Sequence, residues 1–459
     1  TQLTDDPESF LLSRSSYTDC IEQVLDDIDK AAECLKDHTF GNTQKGRATL
    51  AAVKALKVRV LTDAASDLHD QATASAKSSL LASYKNPELL FYMHGSRTER
   101  WQAVKVAAKD LLDNPMGHAI PTYGGTGLST EEKAQSIWSF FLTESTDHIF
   151  SRYFIDTKDE SGTKMPIFNG PSGYHGWGGN TPVQDLVDAF AMEDGSKFDW
   201  NNSQHANNPY GNREPRFYAT IMYDGMQWIQ RPDDYASIEP TGKIQTGYYQ
   251  LDPSITDDSK FYAGMDTRSG SGENWNATYT GYYLKKYINP ADGDHRNKIN
   301  AVFPFIRLSE VYFCYIEACI ELGELDEAKK YLNEYRKNVN LPAVTTNDRD
   351  ALRKIYQNER RLEFSFEEIR YWDVRRWMTA PDLPGLNSLK GIRVTAILKS
   401  GAGVQHKYTA DPDIWNMHYK VIDLNNEGRQ FVDKCYFLPI MRDEKNSNPN
   451  LIQNPGYEN

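Results

Sequence analysis

The sequence is poor in the features that announce chemistry. Its 459 residues include five cysteines (Cys20, Cys34, Cys314, Cys319 and Cys435) and no CxxC pair. An odd number cannot all pair within one chain, so neither a disulfide framework nor a zinc site is signalled. Cys314 and Cys319 lie five apart on a predicted helix, which puts them on different faces. No apolar run approaches the roughly 18 to 20 residues that a membrane span requires. Positive charge is also short: the formal net charge is -13, whereas nonspecific nucleic-acid binding needs a cationic surface, so a nucleic-acid partner is excluded. HExxH, GxSxG and GxxxxGKS/T are all missing, and "YGGTGLST" (123–130) lacks the lysine and spacing that cradle phosphate, so it reads as a turn. No cofactor is implied. Thr1 is not a Met and no signal peptide follows it, which predicts a processed or truncated N-terminus.

What the chain does have is helical periodicity at both ends. Ile21, Leu25, Ile28, Ala32 and Leu35 recur at steps of three and four, with Ser16 and Asp19 placed as a capping box. Leu50, Val53, Leu56, Val60 and Ala64 form a second stripe after a short link, which predicts an antiparallel helix pair. A second hairpin is predicted over Leu308–Leu322 and Leu325–Val339, turning at Gly323. Gly323 and Ala328 match the close-packing positions of a tetratricopeptide repeat, although the first half of that consensus is missing.

Residues 146–302 differ, being rich in Gly, Asn, Tyr and Trp, with turn signals such as "NGPSGYHGWGGNTP" (169–182) and "TRSGSGENWNATYTGYY" (267–283). The stretch is too aromatic for a linker, so ordered loops and short strands over a helical scaffold are expected. The expected fold class is therefore mainly α. A tetratricopeptide-like helical-hairpin scaffold carries the long loop-rich region, in four parts of one domain: hairpins over 1–145, aromatic loops over 146–302, a hairpin and long helix over 303–378, and a closing segment over 379–459.

Candidate chemistry is sparse. Glu359 and Glu363 stand one helical turn apart among Arg360, Arg361, Arg370, Arg375 and Arg376. They could share acid and base roles as in a glycosidase, but charges at this spacing ordinarily form ion pairs that fix helix packing. Asp156, Asp159 and Glu160, and separately Asp292 and Asp294, offer oxygen ligands for calcium without EF-hand spacing, so solvated loop charge is the default. The aromatics set among polar loop residues are more informative: Tyr174, His175, Trp177, Trp228, Trp275, Tyr279, Tyr282, Tyr283, Tyr408 and Trp415. Sugar rings have apolar CH faces and polar rims, which suit an aromatic platform beside Asn, Asp or Arg. The ligand-binding candidates are Trp275, Trp228, Tyr279, Tyr174, His175 and Trp177.

Seven ordered stretches resemble SusD/RagB-type proteins: "RATLAAVKALKVRVLTDAAS", "GWGGNTPVQDLVDAFAMEDG", "NPYGNREPRFYATIMYDG", "TGYYLKKYI", "FPFIRLSEVYFCYIEACIELG", "NERRLEFSFEEIRYWDVRRW" and "YFLPIMRDEKNSNPNLIQNPGY". Together they span nearly the whole chain. The resemblance implies an outer-membrane, surface-exposed lipoprotein that captures nutrient oligomers, oligosaccharides or polysaccharides in the leading reading and oligopeptides in the alternative. It implies delivery to a SusC-like TonB-dependent transporter, with no chemistry on the ligand. It also implies that Trp177 serves the fold, and that the Asn/Pro-rich terminus is an ordered closing segment. Such proteins begin with a lipid-carrying cysteine and further helices. That portion is expected to be absent here, and one wall of the ligand site with it. Ligand contacts differ across the family, so the resemblance assigns no binding residue. An intracellular tetratricopeptide scaffold is disfavoured, because the loop region interrupts the repeats.

Overall fold

A computed structural model describes residues 11–383, 388–403, 411–424 and 429–458. The protein is mainly helical, with small open sheets. The scaffold helices are α1 (Tyr17–Leu35), α2 (Leu50–Ala65), α3 (Arg97–Asp113), α4 (Thr130–Phe140), α5 (Pro215–Thr220), α6 (Leu308–Leu322), α7 (Leu325–Asn338), α8 (Arg349–Glu363) and α9 (Arg370–Arg376). Their starts follow from the sequence. Ser16, Thr49, Ser96, Ser129 and Asp348 each accept an amide from the first turn of their helix, and Ser96 with Glu99 and Ser129 with Glu132 form full capping boxes.

Helix α6 is the centre of the scaffold and packs against α2, α3, α7 and α8. Every residue from Leu308 to Ile320 is buried, so its apolar character has no exposed face to spare. Gly323 ends it in the left-handed conformation (φ 78°), and nothing would meet a Cβ there within 4 Å. The glycine therefore serves the backbone turn, while the close packing expected of that motif falls to the fully buried Ala328. On α2 the predicted stripe is corrected in one place. Leu56 is exposed, and the helix buries instead a broad, small-residue face including Ala51, Ala52, Ala55 and Val58.

Buried ion pairs tie the helices to the loops. Arg307 bonds Asp147 (2.6 Å), Glu363 (3.0 Å) and Glu367 (2.7 Å), and Lys286 also reaches Glu367. Removing one partner from such a cluster strands the others in low dielectric, at a cost of about 3 to 5 kcal/mol. Glu359 is bound by Arg216 and Arg336, and Glu363 by Arg307 and the hydroxyls of Tyr123 and Tyr335. Both carboxylates are buried. The acid pair is thus structural, and no accessible general acid and base stand there.

The strands are β1 (His148–Phe154), β2 (Ile221–Met222), β3 (Tyr248–Gln250), β4 (Tyr262–Ala263), β5 (Tyr283–Leu284), β6 (Ala301–Arg307), β7 (Lys390–Leu398) and β8 (Trp415–Asp423). β1 pairs with β6 and β2 with β5, both antiparallel; the largest sheet runs β4-β3-β7-β8, with β3 and β7 parallel. Residues 146–302 are ordered loops, short strands and helices of a few turns at most, as their composition predicts. The closing segment is pinned by its amides. Asn448 and Asn450 donate to the carbonyls of Leu12 and Leu11, Asn454 donates to that of Leu438, and Tyr84 donates to that of Gln453 (2.6 Å).

Candidate functional site

Two loops of the aromatic region meet. The first, 172–179, turns through His175 (φ 66°) and Gly178 (φ 52°), and the second, 273–283, starts at Glu273 (φ 36°). His175 fastens them: its Nδ1 lies 2.8 Å from Glu273 Oε1, and its Nε2 lies 3.3 Å from Asp234. Gly178 lets the backbones approach, because a Cβ there would stand 2.9 Å from the Asn276 carbonyl. Beneath them, Tyr283 donates to the Asp266 carbonyl (2.8 Å) and accepts the Thr278 amide. Asp266 in turn takes a two-pronged contact from the buried Arg231 (2.8 and 2.7 Å). Charge-assisted bonds of this kind are the strong ones, so the loops rest on a rigid floor.

On this floor the second loop presents Trp275 and Tyr279, 69% and 61% exposed, and the first presents Trp177, 48% exposed with its ring 5.3 Å from Phe168. Arg268 ties the ledge together. Its Nη1 donates to the carbonyls of Trp275 (3.1 Å) and Ala277 (3.0 Å), and its guanidinium lies 3.9 Å from the Tyr279 ring centre. Large apolar rings left in water on a backbone this constrained mark an interaction surface.

The structure brings three of the six sequence candidates to this ledge and corrects the other three. Tyr174 is buried, with its ring under Arg231 and its hydroxyl donated to the Ile229 carbonyl (2.9 Å), so neither face can stack on a ligand. His175 is buried as the fastener between loops. Trp228 is half-buried against Trp138 (5.7 Å between ring centres) and packs into the scaffold core. Trp177, expected to serve the fold, packs on Phe168 and keeps about half its surface in water. Of the wider aromatic set, Tyr282, Tyr283 and Trp415 are buried, and Tyr408 lies outside the described residues. Composition cannot separate these cases, since a loop ring beside Gly and Asn can point either way. Arg268 had a visible signal, as a lone cation in a Gly/Ser/Asn run, that the aromatic reading passed over.

Three residues of the acidic clusters pair with cations, and Asp156 accepts from the Asn300 side-chain amide (3.3 Å). Asp159 pairs with Lys164 and Lys298, Glu160 with Arg152, and Asp294 with Arg296. Among the described residues no group of three His, Cys, Asp or Glu side chains could hold a metal. Larger recesses include one of 400 Å³ bordered by Phe305 and Trp372, one of 780 Å³ beside Arg336 and Pro342, and one of 570 Å³ lined by Asp233, Asp234 and Arg296 among others. Ion pairs such as Arg376 with Asp373 and Arg336 with Glu359 already engage charged groups that line the first two.

The model of the SusD family matches residues 137–457. The chain belongs to the SusD family. Among solved structures, a SusD-like protein from Bacteroides fragilis is 25% identical, with 99% of this chain and 74% of that one covered at a TM-score of 0.67. A SusD-like carbohydrate binding protein from the same species is 22% identical over 98% of this chain and 73% of that one, with a TM-score of 0.62. A laminarin binding SusD-like protein is 17% identical over 98% and 72%, with a TM-score of 0.51. No curated protein matches. The ledge thus sits on a SusD fold, in the loop-rich part of the chain that the family model spans. Among the described residues no helix is long and apolar enough to cross a membrane.

Proposed function

We propose that this SusD-family chain captures oligosaccharides on the ledge formed by Trp275, Tyr279 and Trp177 and delivers them to a SusC-like TonB-dependent transporter at the outer membrane. A lipid on an N-terminal segment outside this sequence would hold it at the cell surface. The observation that carries the reading is the pair Trp275 and Tyr279, exposed on a loop whose floor is a buried ion pair. A sugar lays its CH face on such a ring, and the preorganised loop loses little entropy on binding. The carbohydrate-binding and laminarin-binding relatives of the same fold support the class of ligand.

The test is a tryptophan-fluorescence titration against plant, host and microbial oligosaccharides, with mixed peptides as control. A saturable response to one glycan class is expected, and Trp275→Ala should weaken it by about 1 to 3 kcal/mol. A response to peptides alone would replace saccharide capture with peptide capture. Unchanged affinity in a folded Trp275→Ala protein would remove that ring from the site.

A further inference from the structure

Beside the ledge, and sharing Tyr279 with it, lies a recess of 130 Å³ lined by Thr246, Tyr248, Arg268, Thr278, Tyr279 and Arg393, among others. It is smaller than the roughly 300 Å³ at which drug-sized ligand pockets begin, a size for a substituent of a sugar, not for its ring. Its lining contains two arginines and no carboxylate, in a protein whose net charge is -13. Among the described residues neither arginine has an ion-pair partner. Arg268 gives Nη1 to two backbone carbonyls, and Arg393 gives Nη2 to the Asp258 carbonyl (3.0 Å). Each guanidinium lies over a tyrosine ring, Arg268 on Tyr279 and Arg393 on Tyr248 at 3.4 Å from the ring centre, which holds both in place.

Two polar atoms here are buried without a partner among the described residues. They are Arg393 Nε and the hydroxyl of Thr246, a residue 4% exposed. Unsatisfied donors beside two unpaired cations are costly in the empty protein and become satisfied when an acceptor enters. Two buried acids stand next to lining residues: Asp266 is taken up by Arg231, and Asp224 accepts the Thr246 and Gly247 amides. Burial pushes the Asp224 carboxyl up to about 7, so it only partly offsets the positive charge.

We propose that this recess is a subsite for an anionic substituent, a carboxylate or a sulfate, on the saccharide that the ledge captures. The inference rests on the saccharide reading of the ledge and narrows it to acidic glycans. A ring stacked on Tyr279 would direct its charged group between Arg268 and Arg393, with Thr246 and Thr278 as further donors. Arginine suits this task because its planar fork meets the oxygens of both anions in pairs.

The experiment is calorimetric titration of the intact chain with two matched pairs: tetragalacturonate against its methyl-esterified form, and a sulfated carrageenan tetrasaccharide against its desulfated form. The charged member of one pair is expected to bind about tenfold tighter or more, an advantage that shrinks as salt is raised and screens the contact. Which pair responds distinguishes carboxylate from sulfate. Arg393→Gln should bring the charged ligand down to its neutral counterpart, whereas Trp275→Ala should weaken both. Equal affinities within both pairs, with saccharides still bound, would overturn the anionic subsite and leave saccharide capture intact. Binding of peptides and of no saccharide would overturn both. The wild-type comparison needs no variant, so a misfolded Arg393→Gln protein would leave the result readable.

Discussion

Glu317 tests the energetics of the scaffold most directly. It sits in α6, is 4% exposed, and takes four donors: Arg376 Nη1 (2.6 Å) and Nη2 (2.7 Å), Trp377 Nε1 (2.6 Å) and the Tyr356 hydroxyl (2.7 Å). Burial alone would push its carboxyl up, but the Arg376 guanidinium and the other donors hold it down, from an ordinary 4.5 to about 2. At about 1.4 kcal/mol per pH unit, that depression makes the ionised form worth about 3 kcal/mol of folding stability at neutral pH. The sign follows from the lowered value. The contribution is complete above the unfolded value of 4.5 and is lost as pH falls towards about 2. Near pH 3, midway through that window, about 1 kcal/mol should remain. Glu317→Gln keeps the shape but removes the charge and turns an amide donor towards the guanidinium. Urea unfolding of both proteins at pH 7 and pH 3 should show a deficit of about 3 kcal/mol that narrows by more than half at the lower pH. A deficit below about 1 kcal/mol at pH 7, or one that does not change with pH, would refute the claim that ionised Glu317 stabilises the core.

Gly178→Ala should loosen the ledge, since the new methyl meets the Asn276 carbonyl at 2.9 Å on a backbone with φ of 52°. Saccharide affinity should fall, whereas Gly125→Ala, strained by φ of 86° but with nothing within 4 Å, should leave it unchanged. Equal effects would separate loop contact from capture. Tyr84→Phe removes the hydroxyl that holds the Gln453 carbonyl; it should cost about 1 kcal/mol and raise amide exchange in the closing segment. Exchange there that matches wild type would show that the asparagine contacts suffice without it.

The local features of this protein were written in its sequence. Ser16, Ser96, Ser129 and Asp348 cap helices because a short side-chain oxygen satisfies free amides wherever a first turn follows, and neither event needs the rest of the fold. The stripe of α1 and the left-handed turn at Gly323 were legible for the same reason. The order of the Asn/Pro terminus was implied by the family resemblance instead, since its amides bond Leu11 and Leu12 at the far end of the chain, and Glu359 and Glu363 pair not with the arginines of their own segment but with Arg216, Arg336 and Arg307. Seven ordered stretches carried the family. Tertiary structure alone decided the burial of the loop aromatics. Tyr174 and Trp275 have similar polar neighbours in the chain, yet one lies under Arg231 and the other stands in water. Loops have no period that fixes which way a ring points, so the outcome depends on what packs beneath. The recess between Arg268 and Arg393 is the extreme case. One residue comes from an irregular loop and the other from β7; the parallel pairing of β3 with β7 sets Tyr248 beside β7, and the Ile392 amide donates to the Thr280 carbonyl (2.8 Å), which holds β7 against that loop. No local pattern encodes that approach, because its energy comes from contacts between segments far apart in the chain.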